Sequence, residues 1–275
     1  MVRPADEPKR ADLRPRVLSA LVLIAVALAA VSAGGTAFNV FVLVVGLVMA
    51  YEWHHLCHGP EARVTGLITV LAVAATLAVA GLVAASYALA VGLGSMSVVA
   101  LVALVGRGRP VWSAAGVAYI AVPCVAAVWL RSDPMYGLAT MLWLLAVVWA
   151  TDIGAFFIGR RIGGPRLAPR ISPTKTWSGF IGGVFCAAAV GAVAAIVSGR
   201  AAPWTLAVLS AGLAVLAQMG DLVESMVKRR FGAKDSGQLI PGHGGLLDRL
   251  DGMLAATPAA AGLVLVDAEG GLVWS

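Results

Sequence analysis

Polar positions along this chain are gathered into short clusters, and the residues between them are almost all apolar. Apolar runs cover roughly residues 17–33, 38–53, 64–82, 84–105, 111–130, 137–158, 178–198, 203–226 and 252–267. Most approach the ~20 residues a helix needs to cross a hydrocarbon core of ~30 Å. They are continuous rather than alternating, so helices and not barrel strands are predicted. The expectation is an all-α polytopic integral membrane protein with about nine transmembrane helices. The first two runs and the last are short, which suits re-entrant or strongly anchored segments. The boundary near residue 83 is the weakest, since Gly81 and Ser86 are its only punctuation.

Composition agrees with this pattern. The chain is 60% hydrophobic and 12% charged, whereas a soluble domain is roughly 45–50% apolar and about 25% charged. The basic residues then give an orientation. With a cytoplasmic N-terminus, 18 of the 20 lysines and arginines fall in the leader and on the inner ends of the segments, leaving only Arg131 and Arg200 outside. This is the positive-inside bias, so the net charge of +6 reads as topology and attraction to anionic lipid. Nucleic-acid binding is not expected, because a soluble basic face is missing. The run 17–33 ends in "ALAAVSA", which resembles a cleavage site. Its polar leader carries Asp6, Glu7 and Asp12 and eight more apolar runs follow, so a retained first span is the expected outcome.

Three cysteines, Cys57, Cys124 and Cys186, are scattered and imply no disulfide framework. Cys124 and Cys186 read as small packing residues within apolar runs. Cys57 lies in "WHHLCHG", where His54, His55 and His58 also cluster. His54 and His58 are one helical turn apart, so the stretch is either a metal pair or an interfacial turn anchored by Trp53.

Three regions follow: a polar leader (1–16), N-terminal transmembrane helices (17–135) and a C-terminal transmembrane region (136–275) with two polar inner loops. The N-terminal half is chemically quiet, and between Val64 and Leu130 the only charges are Arg107 and Arg109. The C-terminal half is different. Asp152 stands inside an apolar run, where a charge is costly and usually functional; the plainer alternative is a pair with Arg160 or Arg161. The loop that follows offers Ser172, Lys175 and Thr176, hydroxyls beside a lysine at the mouth of a helix, which suit phosphate oxygens. On the eighth segment Asp221, Glu224, Ser225 and Lys228 recur at i, i+3, i+4 and i+7 and share one face. Carboxylates so close repel unless a cation joins them, so either a metal or a salt-bridge network with Lys228 and Arg229 is expected. Asp248 and Asp251, also i, i+3, should open the ninth helix, where acids complement the dipole. Upstream, Gly242, His243, Gly244 and Gly245 follow Pro241. Glycines around one histidine let backbone amides approach a ligand as a phosphate nest does. Hard acids, glycine amides and basic side chains together suit magnesium-assisted phosphoryl or nucleotidyl transfer.

The stretch "KRRFGAKDSGQLIPGHGGLLDRLD" resembles the signature of phosphatidate cytidylyltransferases, matched at Ser225, Lys228, Arg229, Lys234, Asp235, Pro241 to Gly245, Asp248, Arg249 and Asp251. "ISPTKTWSGF" looks like the family's second signature, matched at Ser172, Pro173, Lys175, Thr176 and Gly179. Ser178 stands where the family usually has Glu. The strong resemblance spans roughly residues 145–255. It implies conversion of CTP and phosphatidate to CDP-diacylglycerol and pyrophosphate with Mg2+, on the cytoplasmic face of the inner membrane. Asp221 and Asp248 are then expected to ligate metal, with Asp251 and Glu224 beside them. Lys228, Arg229, Lys234 and Arg249 would clamp phosphates, His243 and the glycines would shape the nucleotide cradle, and Lys175 with Thr176 would close it. A second cation and the oligomeric state, a homodimer included, are left open. The alternatives are a CTP-using enzyme with another lipid acceptor, and a transporter. The latter is disfavoured because the polar residues crowd one half and one face, rather than forming a midplane site between repeats.

Overall fold

The computed structural model describes residues 13–59, 62–199, 201–237, 244–266 and 274. Gly242 and His243, expected to shape the cradle, lie outside the described residues, as do Pro241, the first part of the leader and Arg200. Among the described residues the chain forms nine helices: α1 (Leu13–Ala33), α2 (Gly35–His58), α3 (Arg63–Leu82), α4 (Ala85–Val105), α5 (Pro110–Ser132), α6 (Gly137–Ile162), α7 (Trp177–Ser198), α8 (Pro203–Arg230) and α9 (Leu247–Val266). Eight of them, α2 to α9, are long and apolar enough to cross a membrane, and α1 carries a shorter apolar stretch, Ser19–Ala33. The second and ninth helices are longer than their apolar cores because polar residues continue the helical ladder beyond the apolar run. The break at residue 83 falls where expected, between α3 and α4. Large apolar side chains such as Leu101, Phe185 and Val197 face outward, as lipid-solvated helices require.

The loops sort onto two ends. Arg109, before α5, donates Nη1 to the carbonyl of Cys57 at the end of α2 (2.5 Å) and lies over the Phe231 ring after α8 (5.0 Å). Arg229 at the end of α8 donates to the carbonyl of Ile171 between α6 and α7 (3.3 Å). The loops after α2, α4, α6 and α8 therefore share one end. At the other, Arg131 donates to the carbonyls of Val31 (2.6 Å) and Ser32 (3.3 Å). This is the alternation the positive residues demanded.

One element was not expected. Arg166–Ala168 (β1) and Ser172–Thr176 (β2) pair as a short antiparallel hairpin between α6 and α7. Thr176 then caps α7, its hydroxyl accepting the Gly179 N–H at 3.1 Å, as an N-cap threonine does. Ser178 donates to the Gly163 carbonyl (2.5 Å) and sits 3.1 Å from the Thr176 hydroxyl. It fastens the hairpin to the ends of both helices.

Below the hairpin, α6 and α7 meet along a seam of small residues, the contact that lets backbones approach in membranes. A Cβ on Gly183 would lie 2.8 Å from the Thr151 carbonyl oxygen, and one on Gly179 2.7 Å from that of Ala155. Cys186 lies against Gly154, the packing role expected of it. The histidine cluster at the end of α2 packs likewise. His54 and His58 stack 4.8 Å apart, and His58 Nε2 is 3.0 Å from the Ser113 hydroxyl. Trp53 is buried, its indole donating to the Trp112 carbonyl at 2.9 Å.

Gly183→Leu should force the seam apart, at the ~1–3 kcal/mol typical of overpacking. The measurement is the melting temperature of the purified protein in detergent, with Gly212→Leu as the control because a Cβ there meets nothing within 4 Å.

Candidate active site

The shared loop end collects the acids and bases of the C-terminal half. Gly220 makes this approach close: a Cβ there would lie 2.7 Å from the Asp251 carbonyl oxygen. Helices α8 and α9 cross at that glycine, and their acidic faces are brought together.

Lys228 is the electrostatic centre of the crossing. Its ammonium donates to Asp248 Oδ1 at 2.6 Å and to Glu224 Oε2 at 3.2 Å. The Glu224 side chain is fully buried, and those of Asp248 and Lys228 are 6% and 12% exposed. A buried charge is tolerated only when paired and hydrogen-bonded, and Asp248 meets that condition completely. Its Oδ2 accepts the Ser236 N–H, the Ser236 hydroxyl and the Gly245 N–H, each at 2.9 Å.

A second ion pair joins the two loops. Lys175, on β2, pairs with Asp221 on α8, while the Ser225 hydroxyl points to Asp221 Oδ1 at 3.4 Å. Asp152 is exposed and lies within electrostatic reach of Asp221, Lys175 and Arg249. Its charged neighbours are these groups and not Arg160, which instead lies over the Phe156 ring. The neighbouring side chains Ile153, Phe156 and Phe157 face outward.

Asp251 lies within reach of Asp221, Glu224 and Asp152, and its carboxyl approaches that of Glu224. Glu224 Oε1 nevertheless has no hydrogen-bond partner. Among the described residues no three acid, histidine or cysteine side chains form a ready metal cluster.

The remaining expected residues take less central places. Arg229, Lys234 and Asp235 are exposed, and Arg229 also donates to the Ala233 carbonyl. Ser172 begins β2, and Thr176 is engaged in capping. Gly244 and Gly245 pack against carboxylates: a Cβ on Gly244 would lie 3.0 Å from Asp248 Oδ2, and one on Gly245 2.8 Å from Glu52 Oε2. Gly244 has φ +83°, which suits glycine.

Two residues come from the half that looked quiet. Glu52 on α2 is buried against the first turn of α9. Tyr119 on α5 lies within reach of Glu224, Asp251 and Asp221, and its hydroxyl has no hydrogen-bond partner. Glu52 was legible in principle, since it is an acid at the end of the apolar run 38–53, the same signal that marked Asp152. Tyr119 gave no comparable signal, because tyrosines are ordinary in such segments. Ser236 was hidden for another reason: its role depends on where Asp248 folds back.

A polytopic helical bundle whose loop end gathers paired acids, lysines and arginines has the side chains that recognition of anionic groups at a membrane needs. The chain belongs to the cytidylyltransferase family, whose model matches residues 14–266. It is 42% identical over 256 residues to the phosphatidate cytidylyltransferase of Brucella suis biovar 1 (strain 1330), covering 89% of this chain and 90% of that protein. The phosphatidate cytidylyltransferase of Bacillus subtilis (strain 168) is 42% identical over 130 residues, 47% of this chain and 48% of that protein. That of Haemophilus influenzae is 44% identical over 132 residues, 46% of each chain.

Removing Lys228 would leave two buried carboxylates facing each other. Lys228→Met should therefore destabilise the protein by about 3–5 kcal/mol, as breaking a buried ion pair does. Lys228→Met combined with Glu224→Gln should recover part of the loss, read as thermal melting of the purified protein.

Proposed function

We propose that this protein transfers the cytidylyl group of CTP to phosphatidate, giving CDP-diacylglycerol and pyrophosphate, at the cytoplasmic face of the inner membrane. An oxygen of the phosphatidate phosphate attacks the α-phosphorus of CTP. The bond from that phosphorus to the bridging oxygen breaks, and pyrophosphate leaves with the electron pair. No nucleophile from the chain is needed. The observation that carries this reading is the Lys175–Asp221 pair, which ties the two polar loops into one cleft where cations and acids alternate.

Both substrates are anions, so the site's main task is to offset charge and hold the phosphates in line. Lys175, Lys228, Arg229, Lys234 and Arg249 supply the positive charge. Lys175 and Lys228 both pair with acids, and each could exchange a carboxylate for a phosphate oxygen. The acids fit a hard divalent cation. The carboxyls of Glu224 and Asp251 approach each other, and magnesium typically takes one or two carboxylates and completes its shell with water and substrate phosphates. Asp221, Glu224, Asp248 and Asp251 would hold it. When bound, magnesium neutralises charge on the nucleotide phosphates. Asp248 has a further duty that the other three do not, since its Oδ2 gathers Ser236 and Gly245.

The cytoplasmic placement is supported by the 18 of 20 basic residues on one side of the alternating segments, and by CTP being a cytosolic nucleotide. Single cysteines at Gly108 and Gly164, in a background lacking the native cysteines, should react with an impermeant thiol reagent only in inverted membrane vesicles. One at Asp133 should react only in right-side-out vesicles. The opposite pattern would overturn the orientation.

The direct assay is purified protein with CTP, phosphatidate and magnesium, following lipid-linked CMP. Product should form, and Asp248→Asn should lower turnover by at least ~10³-fold with membrane insertion intact, the scale of losing a group that organises the transition state. Folded wild-type protein that makes no CDP-lipid would reject the reading.

A further inference from the structure

Glu52 lies on α2, in the half of the chain that carries neither signature loop, yet its side chain ends inside the active-site turn. It is 1% exposed. Its Oε1 accepts the Leu246 N–H at 2.9 Å, and its Oε2 accepts the Leu247 N–H at 2.8 Å. The Ser236 hydroxyl lies 3.4 Å from Oε2. These are amides at the start of α9, which have no partner within the helix. A carboxylate there also complements the positive end of the helix dipole.

The arrangement interlocks with Asp248. Three successive amides are divided between two acids: Gly245 donates to Asp248, and Leu246 and Leu247 donate to Glu52. The Ser236 hydroxyl lies between both carboxylates. The glycines of the turn leave room for this. A Cβ on Gly237 would lie 2.8 Å from Glu52 Oε1, and one on Gly245 2.8 Å from Oε2. A glycine-rich turn that looks made to wrap a phosphate is, at these amides, wrapped around a carboxylate of its own chain.

The consequence concerns position. Helix α9 carries Asp248, Arg249 and Asp251 within its first turns. From outside the C-terminal half, the Glu52 side chain holds its start with short hydrogen bonds to two amides. Rotation or sliding of α9 would shift Asp248 against Lys228 and Asp251 against Glu224 together. The geometry points to Glu52 as a positioning residue for the cytidylyl-transfer site: it sets the axial and rotational place of α9 without touching the reacting atoms. This rests on the activity proposed above, and it extends the site from the two polar loops to the N-terminal bundle.

Glu52→Gln keeps the shape of the side chain but turns one acceptor oxygen into an N–H2 group facing an amide N–H. In CTP assays normalised to folded protein, kcat should fall by about 10²-fold, the scale at which a displacement of about 1 Å affects catalysis. KM for CTP should stay close to wild type, since no substrate contact is removed. Glu52→Asp, which retains the charge but shortens the reach, should recover part of kcat. Hydrogen exchange at the amides of residues 244–250 should rise in Glu52→Gln while the helix amides of α3 and α4 stay protected. Wild-type kcat in folded Glu52→Gln, or a loss of kcat with unchanged exchange at 244–250, would overturn the inference. If Glu52→Gln does not fold, Ser236→Ala removes the hydroxyl shared by both carboxylates and keeps the main chain. It should lower kcat severalfold and raise exchange in the same stretch, and unchanged values for both would equally sink the idea. A wild-type protein without cytidylyltransferase activity would instead strike the proposed function, and the exchange comparison would still decide whether Glu52 holds the turn.

Discussion

Buried carboxylates at the loop end of the bundle must each find a cation or a donor, and most of the local structure answers that requirement. Glu224 has no exposed side-chain surface and Asp248 very little. Neither would remain there as an isolated charge, because desolvation costs several kcal/mol per ion. Lys228 lies between them, three donors from Ser236 and Gly245 complete Asp248, and the backbone of α9 completes Glu52. The glycines at 220, 237 and 245 follow from the same demand, since side chains there would collide with the carboxylates or with the strand of chain that carries them. Polar chemistry and tight packing are one problem at this end of the molecule.

The two halves of the chain are consequently less separate than their composition suggests. The C-terminal half holds nearly all the polar side chains, but α2 and α5 reach into its site through Glu52 and Tyr119. The opposite end is tied by a different device, Arg131 clasping the carbonyls that end α1. A bundle of apolar helices in lipid has little hydrophobic drive to order its members, so such polar ties carry much of the specificity of assembly.

Much of this was legible in the sequence, and the parts that were not share a reason. Helix number, the break near residue 83 and the sorting of loops onto two ends follow from apolar run length and the placement of basic residues, which are local or one-dimensional signals. The face shared by Asp221, Glu224, Ser225 and Lys228 follows from helical periodicity, and the structure places these residues together as that spacing requires. What could not be read was pairing at long range. Lys228 meets Asp248 across 20 residues, Lys175 meets Asp221 across the cleft, and Glu52 meets Leu247 at a separation of 195. The hairpin before α7 escaped notice because five residues such as "SPTKT" carry little strand signal. Spacing alone could not tell which anion the amides after His243 would meet, and at Gly245, Leu246 and Leu247 it is a carboxylate of the chain itself.

Asp152 has a further implication. It is exposed beside Asp221 and Lys175, and Ile153, Phe156 and Phe157 of the same helix face outward. A charged cluster beside outward-facing apolar side chains suits a boundary between water and the bilayer. For an enzyme that joins a nucleotide to a lipid, one reactant is delivered by diffusion in three dimensions and the other by diffusion in two. Turnover would then follow the mole fraction of acceptor lipid in the surrounding membrane rather than its amount per volume of solution, and the product would be made already dissolved in the phase where it is next used.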